Sequence, residues 1–374
     1  MLSYWEKKHL LKVDLVVVGA GFVGLSTAIH YKRIYPQREV LVLERGAFPT
    51  GASTRNAGFA CFGSLTEILD DLDHMKEEEV LALVERRYMG LKSIRSEFGD
   101  VNLDYLGTGG FELLDEGNIK ALDSIPKINQ MLYPYFGSEV FSLEPKPESF
   151  GFSAETKAIV KNKFEGELDP GKYMLNLWNK ANQEGVRILT GINVSNINAK
   201  KGKAHAKDPM GRQLSFEGHN IAVCTNAFAE SLVTSLGVKP GRGLILLSKP
   251  MQGVIPWEGS FHVDKGYVYF RKIDDRFLIG GGRNIAFEEE ETEEFLANDR
   301  IRNHLKSLTE QRLLPGKLVE WDMEWTGIMG FGQTKKPIIK PISNRAAVAV
   351  RLGGMGVAIG WQVGKEMSEL LSKM

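Results

Sequence analysis

Six consecutive residues, Gly19-Ala20-Gly21-Phe22-Val23-Gly24, carry the spacing GxGxxG, in which bare backbone can receive a pyrophosphate. The first glycine permits a tight turn, the second lets the anion approach, and the third lets a helix pack close to the preceding strand. The N–H groups that open the helix then face the negative charge. Alone, the spacing is a weak signal. Here a β-branched run, residues 14–18, precedes it and helix-forming residues follow. Glu44 then stands about twenty residues beyond Gly24, at the end of the next apolar run, where a carboxylate accepts hydrogen bonds from ribose hydroxyls. That charge repels a ribose 2′-phosphate, which argues against NADP. On these residues the chemistry is dinucleotide binding, with FAD and NAD both open.

The elements that must hold this turn are a strand over 14–18, a helix over 24–35 and a buried strand over 40–43, a βαβ unit. Further on, 77–98 predicts an amphipathic helix with Val80, Leu83, Val84 and Met89 on one side, and 104–114 predicts strand segments around a glycine turn. A mixed segment fills 119–147. A helix over 172–184 ends at Gly185, followed by strands over 186–190 and 220–225. Residues 243–282 are β-rich. The acidic run 288–294 predicts a solvated helix start, its charges complementing the dipole of a helix to about residue 311. A strand over 346–351, a glycine turn and a helix over 361–372 close the chain. Strands of nucleotide-binding type thus recur at the start, middle and end. The expected fold class is α/β, with a Rossmann-type domain assembled from 1–80, 150–235 and 325–374. A second, α+β domain with a largely antiparallel sheet, 81–149 and 236–324, is expected to hold substrate.

The 47 basic residues balance the 47 acidic ones, so no global field favours nucleic acid or an anionic membrane. The expected partner is a small molecule. The opening MLSYWEKKHLLK lacks the apolar segment of a secretion signal, and the apolar stretch 15–25 is glycine-broken and too short to span a bilayer. Two cysteines, Cys61 and Cys224, are too few for a disulfide framework and lack CxxC spacing, which predicts a reducing, cytoplasmic setting. No metal-ligand spacing is present.

Gly51-Ala52-Ser53-Thr54-Arg55-Asn56-Ala57-Gly58 resembles the GAS-x-R-N-[AG]-G segment of the D-amino-acid oxidase-like flavoenzymes, and the stretch from Leu352 to Gly360 (LGGMGVAIG) resembles their last glycine turn. Leu168-Asp169-Pro170, Gly185-Val186 and Val223-Cys224-Thr225-Asn226 fall in family order, so the resemblance covers almost the whole chain. It implies FAD, with Gly19, Gly21, Phe22, Val23, Gly24, Glu44 and Arg45 on the dinucleotide. Ser53, Thr54, Arg55, Asn56, Ala57 and Gly58 would join them, with Val194, Thr225 and Asn226 from the middle of the chain. Near the flavin the expected residues are Gly327, Gly353, Gly354, Met355, Gly356 and Val357. Small residues there let backbone pack against a flat ring and stabilise its charge on reduction. Some members attach the flavin through a cysteine before the last turn. Residues 325–331 contain none, so non-covalent FAD is expected, with Cys61 and Cys224 as packing.

The resemblance implies oxidation of a small amine or amino acid, by oxygen or another acceptor. Alternatives are an FAD-dependent dehydrogenase of a 2-hydroxy acid or alcohol, and a flavin-carrying subunit of a larger complex. Tyr267, Tyr269 and Arg271 alternate along a strand and so share a face; in the family a tyrosine near Tyr267 meets substrate. His262 reads as a core histidine. Ile279 stands where sarcosine oxidases carry an oxygen-activating lysine. The family arginine that clamps a substrate carboxylate is replaced by Met329. This favours an amine without an α-carboxylate, unless Arg283 or Arg271, with Arg55 a more distant third, supplies the clamp instead.

Overall fold

Lys12–Val18 has neighbours on both sides and cover on both faces, which is why its last four residues are an unbroken buried apolar run. It pairs in parallel with Val40–Leu43 and with Gln213–Val223, and the register sets Val18 opposite both Leu43 and Val223. The sheet continues through Ala346–Val350 to Ile338–Ser343 on one side and to Arg187–Leu189 on the other. The hairpin Asn193–Asn198 and Lys203–Lys207 is added to the long middle strand. Because the parallel strands end together, the chain leaves the sheet at a common edge through Gly19, Glu44 and Cys224. The computed structural model describes residues 2–374.

Two helices, Phe22–Ile34 and Gly356–Leu371, pack on this sheet and on each other. Their approach is close enough that a β-carbon at Gly364 would collide with Ser26, and one at Gly360 would lie 2.9 Å from the Phe22 side chain. The Ser26 hydroxyl donates to the Trp361 carbonyl at 2.7 Å. The helix Glu77–Phe98 covers the outer side, with Gly90 against Ala358. It presents Val80, Leu83 and Val84 inward as expected, but leaves Met89 half exposed.

The second sheet runs Trp321–Phe331, Lys239–Ser248, Arg276–Gly281, Val268–Ile273, Ser260–Val263, Gly110–Leu114, Ala158–Asn162, Phe141–Leu143. All its pairs are antiparallel except Ser260–Val263 with Gly110–Leu114. Its core is aromatic, with Trp257, Phe261, Phe270 and Phe277 in mutual contact. Sheet membership moves two of the expected boundaries. Ala158–Asn162 and the whole of Trp321–Phe331 belong to the second sheet, because each hydrogen-bonds along its length to a strand there. The stretch 104–114 is also less extended than expected, since a short helix, Asp100–Leu103, ends at a left-handed Asp104 before the strand Gly110–Leu114 begins.

The acidic run is not a solvated helix start. The helix begins only at Asp299, capped by Asn298, and Glu290 is 1% exposed. Its carboxylate takes two hydrogen bonds from the buried Arg242 guanidinium, at 2.7 and 2.8 Å. An arginine buried in a sheet needs a counter-charge, and this one draws the acidic segment down onto the strand. Glu290→Gln should therefore lower unfolding free energy by about 3–5 kcal/mol in urea titrations, because it strands a buried charge. Glu291→Gln, which removes an exposed pair with Lys239, should cost less than about 1 kcal/mol.

Candidate active site

Beyond the carboxyl ends of the first sheet lies a cavity of about 260 Å³. Ligands in open α/β sheets bind in this position. Gly19 turns into it with φ +99°, and a β-carbon there would stand 2.9 Å from the Cys224 carbonyl oxygen. A β-carbon at Gly24 would overlap the Gly19 carbonyl, so this glycine sits under the helix and seats it on the strand. Glu44 is almost wholly buried, its carboxylate accepting the N–H groups of Ala20 at 3.0 Å and Gly46 at 2.9 Å. Gly21, Phe22, Val23 and Arg45 complete this wall. The Arg45 guanidinium lies over the Phe228 ring at 3.9 Å.

The loop around residues 51–58 forms the facing wall. Ser53 Oγ accepts the Phe22 N–H at 3.0 Å, which ties the loop to the start of the helix. Asn56 holds the loop's shape, donating to the carbonyls of Ala52 and Ser53 and accepting the Gly58 N–H. Gly58, at φ +75°, packs so tightly on Leu168 that a β-carbon would overlap its carbonyl oxygen. Asn226 accepts the Arg351 N–H at 3.0 Å and so ties the middle strand to the last glycine turn. Thr225 faces the same cavity, and its hydroxyl is buried without a hydrogen-bond partner.

A second cavity, of about 670 Å³, adjoins the first. Ala52, Asn56, Met329, Gly354 and Val357 line both. Gly243 lines it from the second sheet, and a β-carbon there would stand 3.0 Å from Met329 Cε. Tyr267, Tyr269, Arg283 and Met329 all line this space. The Arg283 guanidinium stacks against Phe331 at 4.0 Å and Phe287 at 4.9 Å, and forms no ion pair with a carboxylate among the described residues. Burial holds its pKa below the usual arginine range.

The family model for FAD dependent oxidoreductases (DAO) matches residues 14–370. The chain belongs to this family. Its fold is similar to that of glycine oxidase from Geobacillus kaustophilus, at 17% identity and a TM-score of 0.76 over 97% of this chain and 95% of that one. It is also similar to L-proline dehydrogenase from P. horikoshii, at 20% identity and a TM-score of 0.72 over 97% and 94%. L-α-glycerophosphate oxidase from Mycoplasma pneumoniae, with FAD bound, shares the fold at 16% identity and a TM-score of 0.73 over 96% and 95%. No curated protein matches the sequence.

The family's cofactor is FAD, and the residues present fit it. The first cavity offers a glycine cradle that β-carbons would fill, a fixed carboxylate, and an orphaned threonine hydroxyl as a further polar contact. Of the expected cofactor residues, Gly19, Gly21, Phe22, Val23, Glu44, Arg45, Ser53, Asn56, Val194, Thr225, Asn226, Gly354, Gly356 and Val357 line it. Arg55, Ala57, Gly327, Gly353 and Met355 line the second cavity instead. Arg55 donates to the Thr326 carbonyl at 2.8 Å and lies over Phe295, which occupies it structurally. Gly24, Thr54 and Gly58 line neither space. They shape the turn, Thr54 by donating to the Pro49 carbonyl at 2.8 Å.

Arg271 is a correction on the substrate side. It lies buried against the carbonyls of Gly58 and Leu168, with Glu167 at 3.7 Å, and lines neither cavity. Alternation fixes the face a residue takes but not how far along the strand a cavity extends. His262 is the opposite case, since it lines the second cavity. Sequence reasoning also passed over Ile192, Phe228, Leu232 and Glu293 in the first cavity; none carries a local spacing signal, and Glu293 lay hidden in the acidic run. Both cysteines are buried free thiols. Burial pushes Cys224 up to about 12, and burial together with the Glu165 charge raises Cys61 well above the usual thiol range.

Glu44→Ala should raise the FAD dissociation constant roughly 10- to 150-fold, from the loss of hydrogen bonds to a charged group worth about 1.5–3 kcal/mol. Fluorescence titration of apoprotein with FAD, at a temperature where both proteins stay folded, measures this. Neither cysteine should react with iodoacetamide at mildly alkaline pH until the chain unfolds, as mass spectrometry of native and urea-treated protein would show.

Proposed function

We propose that this protein is an FAD-dependent oxidoreductase that oxidises the C–N bond of a small amino acid, whose carboxylate is held by Arg283. The observation that carries the reading is the Arg283 guanidinium itself, stacked between two phenylalanine rings in a cavity wall with no carboxylate in ion-pair contact among the described residues. Keeping a half-buried cation unpaired is costly unless a ligand supplies the anion. The preference for an amine without a carboxylate rested on Met329, and Arg283 provides the relocated clamp that outweighs it. A planar guanidinium also suits a carboxylate geometrically, through two parallel hydrogen bonds.

Non-covalent FAD, which Gly19, Gly21, Glu44 and Thr225 of the first cavity would hold, would supply the acceptor for a hydride equivalent. The chain's own residues do the rest. Tyr267, Tyr269 and Met329 bound the space for the substrate, with Gly243 leaving room beside Met329. Burial raises Tyr269 to about 12, so it remains a neutral hydroxyl throughout the working pH range. No helix among the described residues is long and apolar enough to cross a membrane, and the two unpaired cysteines support a reducing, cytoplasmic setting.

The test is an anaerobic screen that follows flavin bleaching with substrate pairs, each amino acid against the amine that lacks only its carboxylate. The amino acid should give the higher kcat/KM. Arg283→Ala should cost it roughly 10- to 150-fold, the equivalent of about 1.5–3 kcal/mol, while leaving the amine within a factor of about two to three. Preference for the amine, or an unaffected Arg283 variant, would sink the carboxylate reading. Bleaching by 2-hydroxy acids alone would favour alcohol oxidation on the same clamp. Bleaching that waits for a second polypeptide would favour the flavin-carrying subunit.

A further inference from the structure

One corner of the second cavity is formed by His262, Gly266 and Glu67. A β-carbon at Gly266 would lie 3.7 Å from both His262 Nδ1 and Glu67 Oε2, so these two atoms face the same space. Glu67 keeps its two cations, Arg87 at 3.2 Å and Lys335 at 3.5 Å, on Oε1. The other acids that line the cavity are each paired with a lysine, Asp70 with Lys265, Asp71 with the same Lys335 and Glu79 with Lys336. Glu67 Oε2 is therefore the carboxylate oxygen turned toward this corner, where it can accept a hydrogen bond from a ligand.

Behind the imidazole stands Glu165, 1% exposed. Its Oε1 accepts the N–H groups of Phe62 at 2.8 Å and Gly63 at 3.1 Å. Its Oε2 lies 3.9 Å from His262 Nε2, which is buried and has no hydrogen-bond partner. Phe59 packs edge-on against the ring and fixes its plane. The ring thus has one nitrogen toward the cavity and the other toward a buried carboxyl, with a sub-ångström adjustment separating the latter pair from a hydrogen bond.

We propose that His262 is a catalytic residue whose Nδ1 takes a proton from the substrate's ammonium group while its Nε2 passes one to Glu165, with Glu67 holding the ammonium in place. This rests on the amino-acid reading of the same cavity. One N–H bond of the ammonium breaks as Nδ1–H forms, and Nε2–H breaks as an O–H forms on Glu165. The ring ends neutral in its other tautomer, no electrons change hands, and the product is the neutral amine whose lone pair assists hydride departure. Glu165 acts through His262 and is a positioning residue and proton store.

The charges around the pair suit this transfer. Burial lowers His262 to about 4, against the opposing pull of Glu67, so the ring conducts a proton without holding a second one. Burial raises Glu165 to about 8, against the two backbone donors and reinforced by the Glu67 and Glu112 charges. Burial also opposes ionisation of Glu67, but Arg87 and Lys335 overcome it and keep this carboxyl below its usual range. Glu112, opposite His262 on the neighbouring strand, is itself occupied by Ser64 and Thr66. Tyr269, on the other neighbouring strand, stays neutral, as do the Cys61 thiol and the Tyr105 hydroxyl near Glu165. Below about pH 8 Glu165 carries its proton and donates to Nε2, which leaves an N–H on Nδ1 pointing at the substrate. Above it Glu165 accepts from Nε2, and the Nδ1 lone pair faces the cavity. Flavin reduction should therefore speed up as pH rises through this point.

The experiment uses holoenzyme of the wild type, Glu165→Gln and His262→Asn. Anaerobic stopped-flow gives the pH profile of flavin reduction with two amino acids of different ammonium pKa, so that a substrate inflection moves and an enzyme inflection does not. Histidine ¹⁵N NMR follows the His262 tautomer without turnover. The wild type should show a substrate-independent inflection near pH 8 and a tautomer exchange with the same midpoint. Glutamine retains the Phe62 and Gly63 contacts, yet Glu165→Gln should lose both signatures. His262→Asn should slow reduction by about 10²-fold or more with a smaller change in KM. An inflection that survives in Glu165→Gln, or a His262 tautomer that is constant from pH ~6 to ~10, overturns the relay. If no amino acid bleaches the flavin, the functional reading fails separately and the NMR result still decides the relay.

Discussion

The parallel register that brings Val18, Leu43 and Val223 to one level is the constraint on which everything else depends. Because the three strands end together, a glycine turn, a carboxylate and a threonine meet at one edge although the chain separates them by some 200 residues. The turn can pass there only because Gly19 presents no β-carbon to the Cys224 carbonyl. Glu44 is then held by the backbone N–H groups of Ala20 and Gly46, so its position is fixed before any ligand arrives. Glycines at 24, 360 and 364 extend the same logic outward, letting helix approach strand and helix approach helix.

The two sheets communicate through the loop around residues 51–58. Ser53 binds it to the first helix, Gly58 sets it against Leu168, and Arg55 reaches the Thr326 carbonyl on the second sheet. The loop therefore bridges the two cavities, which explains why several of its residues line one space and several the other. Met329 lies at the same junction, its sulfur 3.8 Å from where a β-carbon of Gly354 would be.

Charge is distributed unevenly around the second cavity. Lysines pair with Asp70 and Asp71 in its wall, and the buried Arg242 is matched by Glu290. Against that background Arg283, which has no ion pair among the described residues, and the corner of Glu67 Oε2 and His262 Nδ1, with Glu165 behind it, are the groups proposed to meet a ligand. Arg271 shows the contrast: its Nη1 donates to the carbonyls of Gly58 and Leu168, and Glu167 lies 3.7 Å away.

Much of the fold was legible in the sequence because its signals are local. Apolar runs ending in glycine, a 3.6-residue period over Glu77–Phe98 and the helix that stops before Gly185 each depend on a few neighbouring residues. The glycine turn and Glu44 were legible for the same reason, since their spacing is itself the constraint. Sheet membership of Ala158–Asn162 and Trp321–Phe331 was not, because pairing partners lie far away in the chain and a strand's own residues do not name them. Nor was the fate of the charged side chains. Glu290 and Glu291 are adjacent identical residues, yet one is buried on Arg242 and the other lies open to water beside Lys239. Arg271 and Arg283 look alike as candidate clamps, and only their surroundings separate them: one lies against backbone carbonyls outside both cavities, the other lines the second cavity. The sequence by itself determined which residue types and turns were available for cofactor and substrate. The tertiary structure alone decided which charges are neutralised by the protein and which are left for a ligand, because neutralisation depends on what folds against each group.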